Sequence, residues 1–146
     1  MSLNAQTSSS NRIRIAAAIL TGPDNRILLV RKAGTSAFMQ AGGKIETGET
    51  PVAALQRELK EELGLNVAQD QARYLGAFSA PAANEPGFVV EAEVFHISLS
   101  QPVAKAAEIE EIIWIDPLQK TELPLAPLTE HYLLPLCKEF IPVVKQ

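Results

Sequence analysis

Three glutamates pose the chemical question in this chain. Glu58, Glu61 and Glu62 stand at i, i+3 and i+4 of one segment, with Arg57 beside them and Glu49 upstream. At a helical 100° per residue the three fall on an arc about 100° wide. Like charges at this spacing repel by a few tenths of a kcal/mol per pair, so something must compensate. Two compensations are open. Lys44, Arg57 and Lys60 lie near enough to neutralise an acidic face that simply meets water. Alternatively, a hard divalent cation sits among the carboxylates, since Mg²⁺ takes oxygen ligands and is commonly held by a few carboxylates plus substrate phosphates.

The stretch that must position these groups is Gly43 to Leu65, GKIETGETPVAALQRELKEELGL, which reads as a loop feeding a helix. Gly42, Gly43 and Gly48 permit backbone shapes that a side chain forbids. Thr50 suits the N-cap and Pro51 the first helical turn. Val52 to Leu63 contains no Gly or Pro, and Gly64 stands where a helix closes in a left-handed residue, with Leu65 free to fold back on the last turn. Val52, Leu55, Leu59 and Leu63 share one face. The helix therefore offers an apolar stripe to a core and an acidic arc beside it, with Glu61 and Glu62 expected outside the core.

Read in order, the stretch is Gly43, five residues, Glu49, seven residues, Arg57-Glu58-Leu59, one residue, Glu61-Glu62, one residue, Gly64-Leu65. This resembles the signature box of the Nudix hydrolases, with no departure at any fixed position. The wording AGGKIETGET is similar to the MutT branch. The box covers 23 of 146 residues, and beyond it the resemblance is one of general layout. The resemblance implies that Glu58, Glu61 and Glu62 bind Mg²⁺ or Mn²⁺ with the carbonyl of Gly42. It also implies that Arg57 pairs with Glu49 to orient the helix against its loop, with Gly43 and Gly64 as structural supports. Such chemistry is coherent: a diphosphate is dense in negative charge, and cations neutralise it, polarise phosphorus and lower the pKa of a bound water.

Composition bounds the rest. At 146 residues the chain fits one domain, expected over 11–146, behind a polar, low-complexity tail at 1–10 that is expected to be disordered. A net charge of −4 argues against a broad nucleic-acid-binding surface, although not against a small-molecule nucleotide substrate whose charge a metal can meet. The lone Cys137 excludes an internal disulfide. No run of 18 apolar residues spans a membrane and no signal peptide is evident, so a cytoplasmic protein without membrane association is expected, as monomer or homodimer.

Along the chain, Ile13 to Leu20 and Arg26 to Lys32 read as two strands around the Gly22-Pro23-Asp24-Asn25 turn. Arg31 and Lys32 end the second strand and could meet phosphates or merely solubilise it; Arg31 is taken forward as substrate-binding. Phe38-Met39-Gln40 leads straight into the glycines, which makes Gln40 a candidate for base or ribose contact or, equally, a structural hydrogen-bonder. Arg73 to Ala80 and Val89 to Leu99 suggest strands, with His96 read as structural. Lys105 to Asp116 ends in a buried-looking strand containing Trp114. The resemblance implies a further glutamate before that strand, a metal ligand or general base; Glu108, Glu110 and Glu111 fall in the window and Glu108 is favoured. Asp116 to Thr121 resembles a helical turn, and Leu128 to Phe140 a closing helix interrupted at Pro135. Strands flanking helices suggest a mixed sheet between helical layers, and the resemblance implies the same α/β/α sandwich.

The reading is a Mg²⁺-dependent hydrolase that splits a diphosphate linkage in a nucleoside diphosphate derivative. Water activated by metal and by Glu61, Glu62 or Glu108 attacks phosphorus, with Arg57 in support. The MutT-like wording favours a nucleoside triphosphate. Pro81, 16 residues beyond the box, is a family marker for ADP-ribose and supplies the alternative. A non-catalytic Nudix-like regulatory module is the remaining rival, which the intact box disfavours.

Overall fold

The computed structural model describes residues 11–140; the tail expected at 1–10 lies outside them. Its centre is β1 (Arg12–Thr21), whose second half is buried without a break, as expected of a strand covered on both faces. Along one edge β1 runs parallel to β5 (Val89–Ser98), in register from Arg12 opposite Val89 to Thr21 opposite Ser98. Along the other edge it pairs antiparallel with β3 (Ala41–Lys44) from Ile15 to Ala18, and then with β2 (Ile27–Lys32) at Thr21. β4 (Arg73–Pro81) and β6 (Ile109–Ile115) close the mixed sheet, ordered β4-β5-β1-β2-β6 with β3 alongside β1.

Helix α1 (Pro51–Leu63) covers one face. Thr50 caps it by accepting Ala53 N–H at 3.2 Å, and Gly64 ends it at φ 67°. The Gly64 and Leu65 N–H groups then bond back to Lys60 O and Leu59 O, which buries Leu65. Its Leu55, Leu59 and Leu63 pack with Ala16, Ala18 and Leu28 of the sheet. Full burial of each leucine contributes about 1.5–3 kcal/mol. On the opposite face, Ile19, Leu29 and Val94 pack against Leu128, Leu133 and Cys137 of the closing helical segment. Two cores on two faces make the molecule an α/β/α sandwich.

Three local expectations need correction. The glycine run is not all loop, because Gly42 and Gly43 lie within β3. β6 is an edge strand, so Trp114 is 37% exposed rather than buried. The segment after Asp116 is a plain turn, with Gln119 N–H bonding Asp116 O. The closing helix does break, but through a π-turn at Thr129–Leu133 that precedes α2 (Leu134–Phe140). The wide turn includes His131, whose carbonyl the Pro135 ring would otherwise meet.

Candidate active site

β3 and α1 meet at two glycines. Gly42 has φ 145°, and a Cβ there would run into Ala16 O and lie 2.8 Å from Ala17 Cα, so only glycine lets β3 run this close to β1. Gly43 is required for a different reason. A Cβ on it would collide with the carboxyl carbon of Glu58 and stand 2.6 Å from both its oxygens. The absent side chain is therefore a seat for a carboxylate.

Glu62 takes the adjoining place. Its Oε1 accepts the Gly42 N–H at 3.3 Å and its Oε2 lies 3.6 Å from Lys32 Nζ. The residue is 3% exposed, which corrects the expectation that it stands outside the core. Burial pushes its carboxyl up to about 7, over the opposing pull of Lys32 and the Gly42 N–H.

Arg57 ties loop to helix. Its Nε and Nη2 donate to the two oxygens of Glu49 at 2.7 and 2.9 Å, and Nη2 also reaches Lys44 O at 3.0 Å. Nη1 donates to Glu58 Oε2 at 2.8 Å and stands 3.6 Å from Glu61 Oε1. This planar fork holds the Glu49 carboxyl down at about 2.

Among the described residues, no three His, Cys, Asp or Glu side chains converge as a ready metal cluster. The cause is visible in the pairs just described: Glu58 and Glu61 lean on Arg57, and Glu62 on Lys32. The donor set still fits a hard divalent cation. Glu58, Glu61 and Glu62 offer only oxygen, Gly43 leaves space for the Glu58 carboxylate, and the buried Glu62 gains from any added positive charge.

The remaining candidates fall in different places. Arg31 is committed to Glu111, with Nε and Nη2 at 3.0 and 2.9 Å from Oε1, and its Nη1 donates to Thr35 O. Lys32, not Arg31, lines the cleft, as does Lys44 beyond the glycines. Glu108 is exposed in the loop that docks on the end of α1, where Ala104 and Ala106 N–H satisfy the free carbonyls of Leu63 and Glu62. Glu110 is exposed on β6. His96 is half-buried with Nε2 2.9 Å from Thr21 Oγ1, a structural position on β5.

Beyond the glycines the cleft continues over the face of β1 opposite α1. Ile15, Ala17 and Val90 line it, with Pro81 on one side and Leu128 and Thr129 on the other. Gln40 also lines it and is 5% exposed. Thr129 was not foreseen in the site. It lies 89 positions from Gln40, and no local pattern connects the two.

Comparison with known proteins bears on the family and the fold. A family model described as NUDIX domain matches residues 11–136. The CTP pyrophosphohydrolase of Escherichia coli K12 is 30% identical over 134 residues, covering 88% of this chain and 91% of that protein. An octanoyltransferase of Myxococcus xanthus is 35% identical over 122 residues, but the chain spans only 34% of its length. Among solved structures, that of the E. coli ORF135 protein superposes with a TM-score of 0.65 at 29% identity, covering 89% of each chain. Signature, fold and full-length likeness agree, and the chain belongs to the Nudix hydrolase family.

Proposed function

We propose that this Nudix pyrophosphohydrolase cleaves a nucleoside triphosphate of the MutT type, giving a monophosphate and pyrophosphate, with Mg²⁺ or Mn²⁺ as cofactor. The observation that carries the reading is the carboxylate seat: Glu58 against Gly43 and Glu62 against Gly42, opening beside an apolar cleft. The nearly full-length likeness to a CTP pyrophosphohydrolase supports the triphosphate over other diphosphate derivatives.

In this reading Glu58, Glu61 and Glu62 hold the cation together with the Gly42 carbonyl. The cation, when bound, neutralises phosphate charge and lowers the pKa of water. Arg57 keeps the glutamates aligned through its fork to Glu49. Lys32 releases Glu62 and turns its ammonium to the substrate phosphates, a role assigned from sequence to Arg31, which is held by Glu111 instead. A carboxylate accepts the proton of the attacking water, and Glu108 is the proposed base. No helix among the described residues is long and apolar enough to cross a membrane.

The test is a panel of nucleoside triphosphates and ADP-ribose with Mg²⁺ or Mn²⁺, with products resolved by anion exchange. Pyrophosphate released from a triphosphate, and lost on chelation, is the expected result. Hydrolysis of ADP-ribose alone would select the second reading, for which Pro81 on the cleft wall speaks.

A further inference from the structure

Gln40 is a polar side chain held without freedom at the bottom of an apolar cleft. The backbone on its N-terminal side is fixed twice. Met39 exchanges both of its main-chain hydrogen bonds with Val30 at 2.9 Å. Phe38 donates its N–H to Pro124 O and accepts from Ala126 N–H at 2.8 and 2.9 Å. On the other side β3 begins at once. The side-chain oxygen is also engaged, accepting from Thr129 Oγ1 at 2.7 Å. The amide nitrogen alone has no hydrogen-bond partner among the described residues, although the residue is only 5% exposed. Buried donors are almost always satisfied, so an orphan on a side chain that lines a cleft points to a missing acceptor.

The walls describe what brings that acceptor. Ile15, Ala17, Val90 and Leu128 are apolar and suit a flat ring, while Lys32 and Gly42 at the other end belong to the phosphate side. Gln40 and Gly42 are two residues apart on one extended run, so ring and phosphates fall along the same strand.

We propose that Gln40 selects the base, taking nucleotides whose ring presents an oxo group to it and rejecting those with an amino group there. Thr129 is a positioning residue. Its hydroxyl proton holds the amide oxygen, so that the NH₂ faces the cleft and offers only donors. An oxo group accepts from it, whereas an amino group sets donor against donor and leaves both unsatisfied. This selection rests on the nucleotide reading above but not on which linkage is cut.

Nucleoside monophosphates test it apart from hydrolysis, since they contain no diphosphate. Binding of IMP against AMP and of UMP against CMP is measured by calorimetry for the wild type, Gln40→Glu, Gln40→Met and Thr129→Val. The wild type is expected to favour the oxo member of each pair by about tenfold, the scale of one hydrogen bond. Gln40→Met should abolish the preference and Gln40→Glu reverse it, because a carboxylate only accepts. Thr129→Val preserves shape but frees the amide to turn over, and should shrink the ratio while the protein keeps its melting temperature within a few degrees. Equal affinities within each pair in the wild type would overturn the inference, as would a preference that survives in Thr129→Val and in whichever Gln40 variant folds. Failure of triphosphate hydrolysis with the preference intact would overturn only the substrate reading.

Discussion

The two faces of the sheet carry the two halves of the candidate site in opposite ways. On the α1 face Glu49, Arg57, Glu58, Glu61 and Glu62 come from one continuous stretch, residues 41–65, which Lys32 joins from β2, and Arg57 binds that stretch to itself through Glu49 and Glu58. On the cleft face the groups come from β1, β5, the segment before β3, the end of β4 and the closing helical segment, and their key contact joins Gln40 to Thr129. The first half is built from spacing and the second from tertiary packing. Changes on the α1 face should therefore act on chemistry, and changes on the cleft face on choice of substrate.

The junction of the two faces should be the most sensitive point. Gly42→Ala adds a methyl group to a site enclosed by Ala16 and Ala17 at a strained φ, with an expected loss on the order of 3 kcal/mol in chemical denaturation. Gly43→Ala meets the tip of a flexible glutamate instead. It should stay folded and lose turnover, so equal destabilisation of the two variants would contradict the seat described for Glu58.

Next come the carboxylates. Glu108→Gln should lower turnover by at least about 10²-fold in steady-state assays, the range of a general base. Glu111→Gln, which gives up a pairing with Arg31, should lose far less. The reverse order would transfer the role to Glu111. Should neither slow, the base lies on α1.

Arg57→Lys replaces a fork by a point charge and cannot bridge Glu49 and Glu58 together. Turnover should fall about tenfold in a protein that remains folded by circular dichroism, the scale of one charge-assisted hydrogen bond. The smallest effect is on pH dependence. The Glu49 carboxyl is lowered from the usual 4.5 to about 2 by Arg57, so the stability it contributes is present above pH 4.5 and lost as pH falls through 2. The melting-temperature gap between the wild type and Glu49→Gln should accordingly narrow on acidification across that window.

These contrasts also explain what was legible in the sequence. Helix α1 was readable to its caps, because Thr50, Pro51 and Gly64 act locally and the leucine stripe has the helical period. The burial of Glu62 was not, since it sits at the border of the apolar and acidic arcs and its exposure depends on how β3 and Lys32 close over it. β3 was hidden by its glycines, whose strand conformation is imposed by pairing with β1. Trp114 misled because an apolar strand at the sheet edge has the same composition as a central one. Arg31 and Lys32 are neighbours at a register shift between β2 and β6, and only their partners Glu111 and Glu62 tell which one meets the cleft.

The most direct measurement is Mn²⁺ binding followed by electron paramagnetic resonance, on the wild type and on Glu62→Gln. The substitution keeps size, and it removes a charge whose burial opposes folding, so the melting temperature of the metal-free variant should not fall. Loss of a carboxylate ligand should weaken Mn²⁺ binding by about tenfold or more, the lower bound of an interaction with a charged group. Identical Mn²⁺ affinity in the two proteins would contradict the assignment of the α1 glutamates as the metal site.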